Sequence, residues 1–177
     1  SQPGLERIIE FELEHLDEMG DLCRKRLIVE LMGKHSNIIF CKEDGTILDS
    51  IKHVSAQVSS VREVLPGRTY FIPHTTEKED PLTITEEAFH TLMKEASSPV
   101  QKALYQKLTG ISPVIGTELC HLASIDADAW SGELSDLELT HLYHTLHLMM
   151  EDVAEGHFSP NIIYHGEEPV EFASVVL

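Results

Sequence analysis

Two apolar runs around an Asp-Gly pair constrain this chain more than anything else in it. Asn37-Ile38-Ile39-Phe40-Cys41 leads into Lys42-Glu43-Asp44-Gly45, and Thr46-Ile47-Leu48-Asp49-Ser50-Ile51 leads back. Such a turn needs positive φ, which Gly reaches without a steric penalty, so the stretch reads as a β-hairpin. Polar and basic groups gather at its margins: Lys34, His35, Ser36 and Asn37 at the entry, Lys52 and His53 at the exit. An apolar sheet with cations at its rim suits binding better than catalysis.

Upstream, Leu5–Leu13 is β-like, Asp17–Asp21 reads as a loop, and Arg24–Met32 is a second strand broken by Gly33. With the hairpin this makes at least four strands, expected as one antiparallel meander. Val58–Leu65 suggests a helical turn, and Tyr70–Ile72 a short extended run ending at Pro73. The chain reads as starting inside a strand, which implies a piece of a longer protein.

Beyond the Pro-bounded stretch 74–82, taken as a linker, the period changes to helical. Thr85 caps a first helix with Glu86 and Glu87 in its first turn and Ala88, Leu92 and Met93 on one face. A second helix covers Pro99–Leu108. After Thr109-Gly110-Ile111, Ser112 caps a third with Pro113 in its first turn. Helix, Gly-containing turn and helix make a helix-hairpin-helix candidate, whose second helix could offer backbone N–H groups to a phosphate. An ordinary αα-corner has the same pattern. A loop with Trp130 follows, and Ser135-Asp136-Leu137-Glu138 is a capping box opening a long helix that Gly156 ends. Its apolar face is Leu139, Leu142, Leu146 and Met149. Asn161–Tyr164 and Val170–Leu177 read as two short closing strands. The fold class is therefore α+β: a small antiparallel sheet over 1–73, then a helical region with closing strands over 83–177.

Composition narrows the function. The net charge is −17, yet all 13 Lys and Arg lie at or before Lys107, nine of them within Arg7–Arg68. The last 70 residues carry 12 acids and no Lys or Arg. Nucleic acid therefore has a partner only in the front half, and the acidic half suits a basic protein or plain solvated surface. No run of about 18 apolar residues is present, so no membrane span is expected. The first residues lack the basic start and apolar core of a signal peptide. Cys23, Cys41 and Cys120 are odd in number and widely spaced, form no metal or disulfide motif, and read as three idle thiols.

His141, His144 and His147 fall at i, i+3 and i+6 on the long helix, with Glu138 one turn before. The outer pair is about 120° apart around the axis, so three ligands on one ion are not expected. There is no HExxH, CxxC, GxSxG or Gly-rich phosphate loop, and His35-Ser36 is no triad, since strand neighbours point to opposite faces. No catalytic set, metal or cofactor is assigned, and the chain reads as a binder rather than an enzyme.

Three consecutive phrases, MGKHSNIIF, DGTILDSIKHV and SVREVLPGRTY, resemble the NFACT family over residues 4–73, with weaker matches beyond. That family holds the proteins long named fibronectin-binding protein A and is grouped with ribosome quality-control factors. The resemblance implies a core similar to formamidopyrimidine-DNA glycosylases, whose N-terminal proline nucleophile and zinc ribbon do not occur in this sequence. It also implies a helix-hairpin-helix region after the core and a coiled coil after a phrase similar to EFASVVL. Its functional implication is a cytoplasmic factor that binds tRNA and the obstructed large ribosomal subunit and supports alanine tailing of stalled chains. Its older name implies instead a cell-surface adhesin for fibronectin or fibrinogen. The family's Asp-Arg pair, associated with tRNA, stands as Glu6-Arg7 here, one methylene longer in the acid. The expected tRNA surface is Glu6 and Arg7 from the resemblance, with Lys34, His35, Lys52, His53, Arg62 and Arg68 from charge and position.

Overall fold

The computed structural model describes residues 1–72 and 78–176. The chain divides into two units, Ser1–Glu77 and Lys78–Leu177.

In the first unit, β1 (Ile8–Leu16), β2 (Leu22–Glu30), β3 (Asn37–Lys42) and β4 (Ile47–Ser50) form one antiparallel sheet in chain order. The expected meander is present, with its second strand two residues earlier than the periodicity suggests. Asp17 closes the β1–β2 turn by accepting the N–H groups of Met19 and Asp21. Asp44 accepts Thr46 N–H, and Gly45 takes φ +86° at the β3–β4 turn. Two local readings change. Leu5–Arg7 is not strand: the chain turns there after Gly4, and β1 begins at Ile8. Val58–Leu65 is not helical: a single turn over Ser55–Ser59 is followed by extended backbone in which Val64 pairs with Val54.

Side chains alternate across the sheet, and one face is the core. Ile8, Ile28, Ile39, Cys41 and Ile47 are buried together with Val64 from the loop, and Met32, Val54, Tyr70 and Ile72 pack on them. The other face carries Ile9, Phe11, Leu13 and Ile38, which are exposed. Burial raises the thiol pKa of Cys41, and that of Cys120 in the second unit to about 11, so both stay protonated at neutral pH.

The second unit packs α1 (Glu86–Glu95), α2 (Val100–Lys107), α3 (Pro113–Leu122) and α4 (Asp136–Glu155), and adds a hairpin of β5 (Asn161–His165) and β6 (Glu168–Ala173). The expected caps are present. Thr85 and Ser112 accept from Ala88 and Ile115, Ser135 and Glu138 form a complete capping box, and Gly156 ends α4 at φ +76°. Hydrogen bonds to Ser135 hold the Glu138 carboxyl below the usual carboxylate range. Lys78 and Glu79, read from sequence as linker, are tied to this unit: Lys78 Nζ donates to Tyr105 O, and Glu79 pairs with Leu108. The rest of the expected linker, from 74 to 77, lies outside the described residues.

The core of this unit is Phe89, Met93, Val100, Ala103, Leu104, Leu108, Leu119, Leu139, Leu142, Leu146 and Met150. Two faces are rotated from the sequence reading. Phe89 takes the buried place on α1 while Ala88 is exposed, and Met150 rather than Met149 continues the buried stripe of α4. Ser131, buried in the loop before α4, donates from Oγ to Met93 O at 2.6 Å, and Lys94 Nζ reaches Leu134 O at 2.8 Å. The end of α1 is thereby fastened to the approach to α4.

Helices α2 and α3 approach closely at Gly116, where an added Cβ would stand 2.9 Å from the Gln101 carbonyl oxygen. Backbone cannot swing aside as a flexible side chain can. We predict that Gly116→Ala lowers the stability of the helical unit by about 1–3 kcal/mol despite its better helix propensity. A thermal melt followed by Trp130 fluorescence measures this, and an unchanged or raised midpoint would contradict the close packing.

Candidate nucleic-acid interface

The start of β1, the end of β2, the start of β3 and the end of β4 all lie at one end of the antiparallel sheet, as their registers require. The turn from β2 to β3 crosses this end through a short 3-10 segment, Gly33–His35. Five of the expected residues meet there. Arg7 precedes β1, and its carbonyl accepts Leu31 N–H just past β2. Lys34 and His35 form the crossing turn, while Lys52 and His53 leave β4. Arg7, Lys34, His35, Lys52 and His53 are all exposed, and Glu6, half-buried, stands beside Arg7.

Two buried polar residues hold this end in shape. Glu30 and Asn37 face each other across β2 and β3, on either side of the crossing turn. Asn37 treats Lys52 as a strand neighbour would: its amide donates to Lys52 O at 2.9 Å, and its Oδ1 accepts Lys52 N–H at 3.0 Å. Lys52 Nζ in turn donates to Lys34 O at 3.2 Å, and Ser36 Oγ accepts Met32 N–H. The ammonium of Lys52 is thus set beside the Lys34 turn by backbone bonds rather than by a carboxylate.

Glu30 has no exposed surface, and the Arg62 side chain is 11% exposed. The guanidinium donates to one carboxylate oxygen of Glu30 and to Phe71 O, and Tyr70 Oη donates to the other oxygen at 3.0 Å. Arg62 also lies over the Tyr70 ring, 5.6 Å from its centre. Burial opposes the Arg62 charge, but the hydrogen bond and the charge of Glu30 outweigh it and move its pKa up. Burial and the same carboxylate push the Tyr70 hydroxyl far above the ordinary tyrosine range. Arg62 therefore braces the site from behind and is not a surface cation.

Arg68 is at the other end. Its backbone carbonyl accepts Ile47 N–H at the start of β4, and its guanidinium meets Glu63 at 3.0 Å. His53 is shared as well: its Nε2 lies 2.8 Å from Asp49 Oδ1, and that bond, with Ser50 N–H, lowers the Asp49 pKa. Among the described residues Arg7, Lys34 and Lys52 belong to no ion pair. The opposite end of the sheet has cations too: Arg24 is paired with Glu14 and Arg26 with Glu10, while Lys25 and Lys42, which face each other across β2 and β3, are in no ion pair among the described residues. Where β2 crosses to β3, three such cations gather with two histidines around one short turn, in a geometry suited to an extended polyanion.

Sequence reasoning placed Arg62 outside because it read charge without a partner. One signal pointed inward: Glu30 has the same parity as Ile28, so it occupies the apolar face of its strand. A carboxylate there needs a cation and donors.

On α4, His141, His144 and His147 are exposed. His147 stacks on Tyr143 at 5.9 Å and lies 3.4 Å from Glu151. Among the described residues no three His, Cys, Asp or Glu are grouped to hold a metal ion, and no helix is long and apolar enough to cross a membrane.

Residues 1–177 match the model of the NFACT N-terminal and middle domains. The chain is 32% identical over 162 residues to the Rqc2 homolog RqcH of Bacillus subtilis, covering 91% of this chain and 26% of the relative. It is 41% identical over 123 residues to the protein of the same name from Streptococcus suis, covering 68% and 22%. The chain thus spans about a quarter of the length of these relatives. Among solved structures it resembles the N-terminal part of the fibronectin/fibrinogen-binding protein of Streptococcus suis, with TM-score 0.69, 28% identity, and coverage of all of this chain and 59% of the other. The fibrinogen-binding protein of Staphylococcus aureus gives TM-score 0.74, 26% identity, and coverage of 100% and 60%. The phrases around the hairpin, the sheet built on them and the match along the whole chain agree: this chain belongs to the NFACT N-terminal and middle domain family, which includes bacterial ribosome quality-control factors.

Proposed function

We propose that this chain is the tRNA-facing part of a cytoplasmic ribosome quality-control factor, which binds tRNA on the obstructed large ribosomal subunit and supports alanine tailing of stalled chains. It acts by binding and performs no covalent chemistry. The observation that carries this reading is the convergence of Arg7, Lys34 and Lys52 at one end of the sheet, with no carboxylate paired to any of them among the described residues. Arg7 supplies a planar fork for a phosphate, and Lys34 and Lys52 supply point charges a short turn away. The names of the relatives support the ribosomal setting.

The test is a tRNA titration at several salt concentrations. Arg7→Ala, and Lys34→Ala with Lys52→Ala, should each weaken binding, and the salt slope should fall by about 1 for every phosphate that is no longer neutralised. Glu155→Gln, in the acidic unit, should change neither. Co-sedimentation of the full-length protein with large ribosomal subunits tests the assembly. Equal affinity and slope for Arg7→Ala would sink this assignment of the surface. The names of the solved neighbours favour a second reading, fibronectin or fibrinogen binding. Binding of either protein, measured in the same preparation and unaffected by the Arg7 variant and the Lys34, Lys52 double variant, would support that reading instead.

A further inference from the structure

The β5–β6 hairpin belongs to the other unit, Lys78–Leu177. Ile162 stands across from Phe172. Tyr164 follows two residues on along β5, so these three side chains share one face, and Val170 is the unpaired residue where the register shifts beside Tyr164. Ile162, Phe172, Tyr164 and Val170 are 55%, 79%, 56% and 55% exposed in that order. A two-stranded hairpin is marginal in water on its own, and three large apolar side chains on one exposed face, with exposed Val170 next to them in the chain, mark a place where something docks. Their surroundings have one sign. Glu167 and Glu168 form the tip with His165 and Gly166, and Glu171 sits within β6. Among the described residues none of these three carboxylates is in an ion pair. No Lys or Arg occurs after Lys107.

Charge decides the occupant. The unit from Lys78 to Leu177 holds four Lys against seventeen Asp and Glu. A second copy would bring the same carboxylates to the same place, and nucleic acid or an anionic membrane surface would be repelled. We propose that this hairpin face docks a second protein through an extended segment in which apolar residues alternate with Lys or Arg. The apolar side chains cover Ile162, Tyr164 and Phe172. The cations meet Glu167, Glu168 and Glu171. Each strand also has an edge unpaired among the described residues, whose backbone groups can add the segment as a third strand. This inference is independent of the tRNA surface.

A fluorescein-labelled nine-residue peptide of alternating Val and Lys is the probe, with a Val-Glu peptide as control, titrated by anisotropy against the 177-residue chain. The Val-Lys peptide should bind at least tenfold more tightly than the Val-Glu peptide. Phe172→Ser should weaken it tenfold or more, and Glu168→Lys with Glu171→Lys should reverse the preference. The charge-reversal pair keeps the apolar face, so it decides the matter even where Phe172→Ser loosens the hairpin. Glu95→Lys with Glu133→Lys, at exposed acids outside the hairpin, should leave the affinity unchanged. The proposal is overturned by equal binding of the two peptides, by an equal loss in the Glu95 and Glu133 variant, or by no binding. A sedimenting dimer that Phe172→Ser dissociates would overturn it too, because the occupant would then be a second copy.

Discussion

Arg62→Ala will lower the stability of the sheet unit by about 3–5 kcal/mol, because it leaves the Glu30 carboxylate buried without its cation. Glu30 is wholly buried, and its oxygens are taken by Arg62 and Tyr70. Tyr70 alone cannot neutralise the charge. Arg62→Lys should recover only part of the loss, since an ammonium cannot reach both Glu30 and Phe71 O as the planar guanidinium does. Replacing both members together, as Glu30→Met with Arg62→Met, should cost less than Arg62→Ala, because no charge is left unpaired. The measurement is amide hydrogen exchange at Ile28 and Ile39 in the sheet core. A loss below about 1 kcal/mol for Arg62→Ala would mean that water reaches the carboxylate and that the pair is a surface one. The same variant should also disturb tRNA binding indirectly, since the strand ends that carry Lys34 and Asn37 are anchored through Glu30.

The second large effect belongs to the helical unit. Phe89→Ala should destabilise it by about 3–5 kcal/mol, through lost transfer energy and the cavity left behind. The ring is fully buried between α1 and α4, with its centre 5.7 Å from that of Tyr143. Phe89→Leu should cost clearly less. The single tryptophan, Trp130, lies in this unit, so its fluorescence midpoint in urea reports this unit separately from the sheet. Separate readouts are needed because a chain of two units need not unfold in one step. A midpoint within error of the parent would show that Phe89 does not anchor the core.

What could be read from the sequence was what neighbouring residues decide. Asp44-Gly45, the Ser135–Glu138 box and the stop at Gly156 are local, and each stands where expected. Errors arose where distant residues decide. On α1 the choice between Ala88 and Phe89 is a rotation of one residue, settled by which side meets Tyr143, 54 residues later. On α4 the spacing from Leu146 to Met150 continues the turn that Leu142 and Leu146 begin, whereas Met149 falls behind it. The candidate surface divided in the same way. Lys34, His35, Lys52 and His53 were drawn together by the hairpin itself. Arg62 was misplaced because a charged residue defaults to solvent, and its reason for being inside is Glu30, 32 residues earlier. Arg68 was misplaced because loop direction after β4 has no periodicity to read.

The reach of the Glu30 cluster along the chain has a kinetic consequence. The four strands join only sequential neighbours, so their pairing closes short loops and can form early. Arg62 and Tyr70 come to Glu30 across 32 and 40 residues and through the long irregular stretch after β4. The cluster should therefore be absent when the sheet first crosses its folding barrier and should lock afterwards. Stopped-flow refolding should then show that Arg62→Ala leaves the folding arm of the chevron nearly in place and accelerates unfolding by most of the lost stability. On this account Glu30, Arg62 and Tyr70 set how long the binding end of the sheet persists once formed, rather than how quickly it is made.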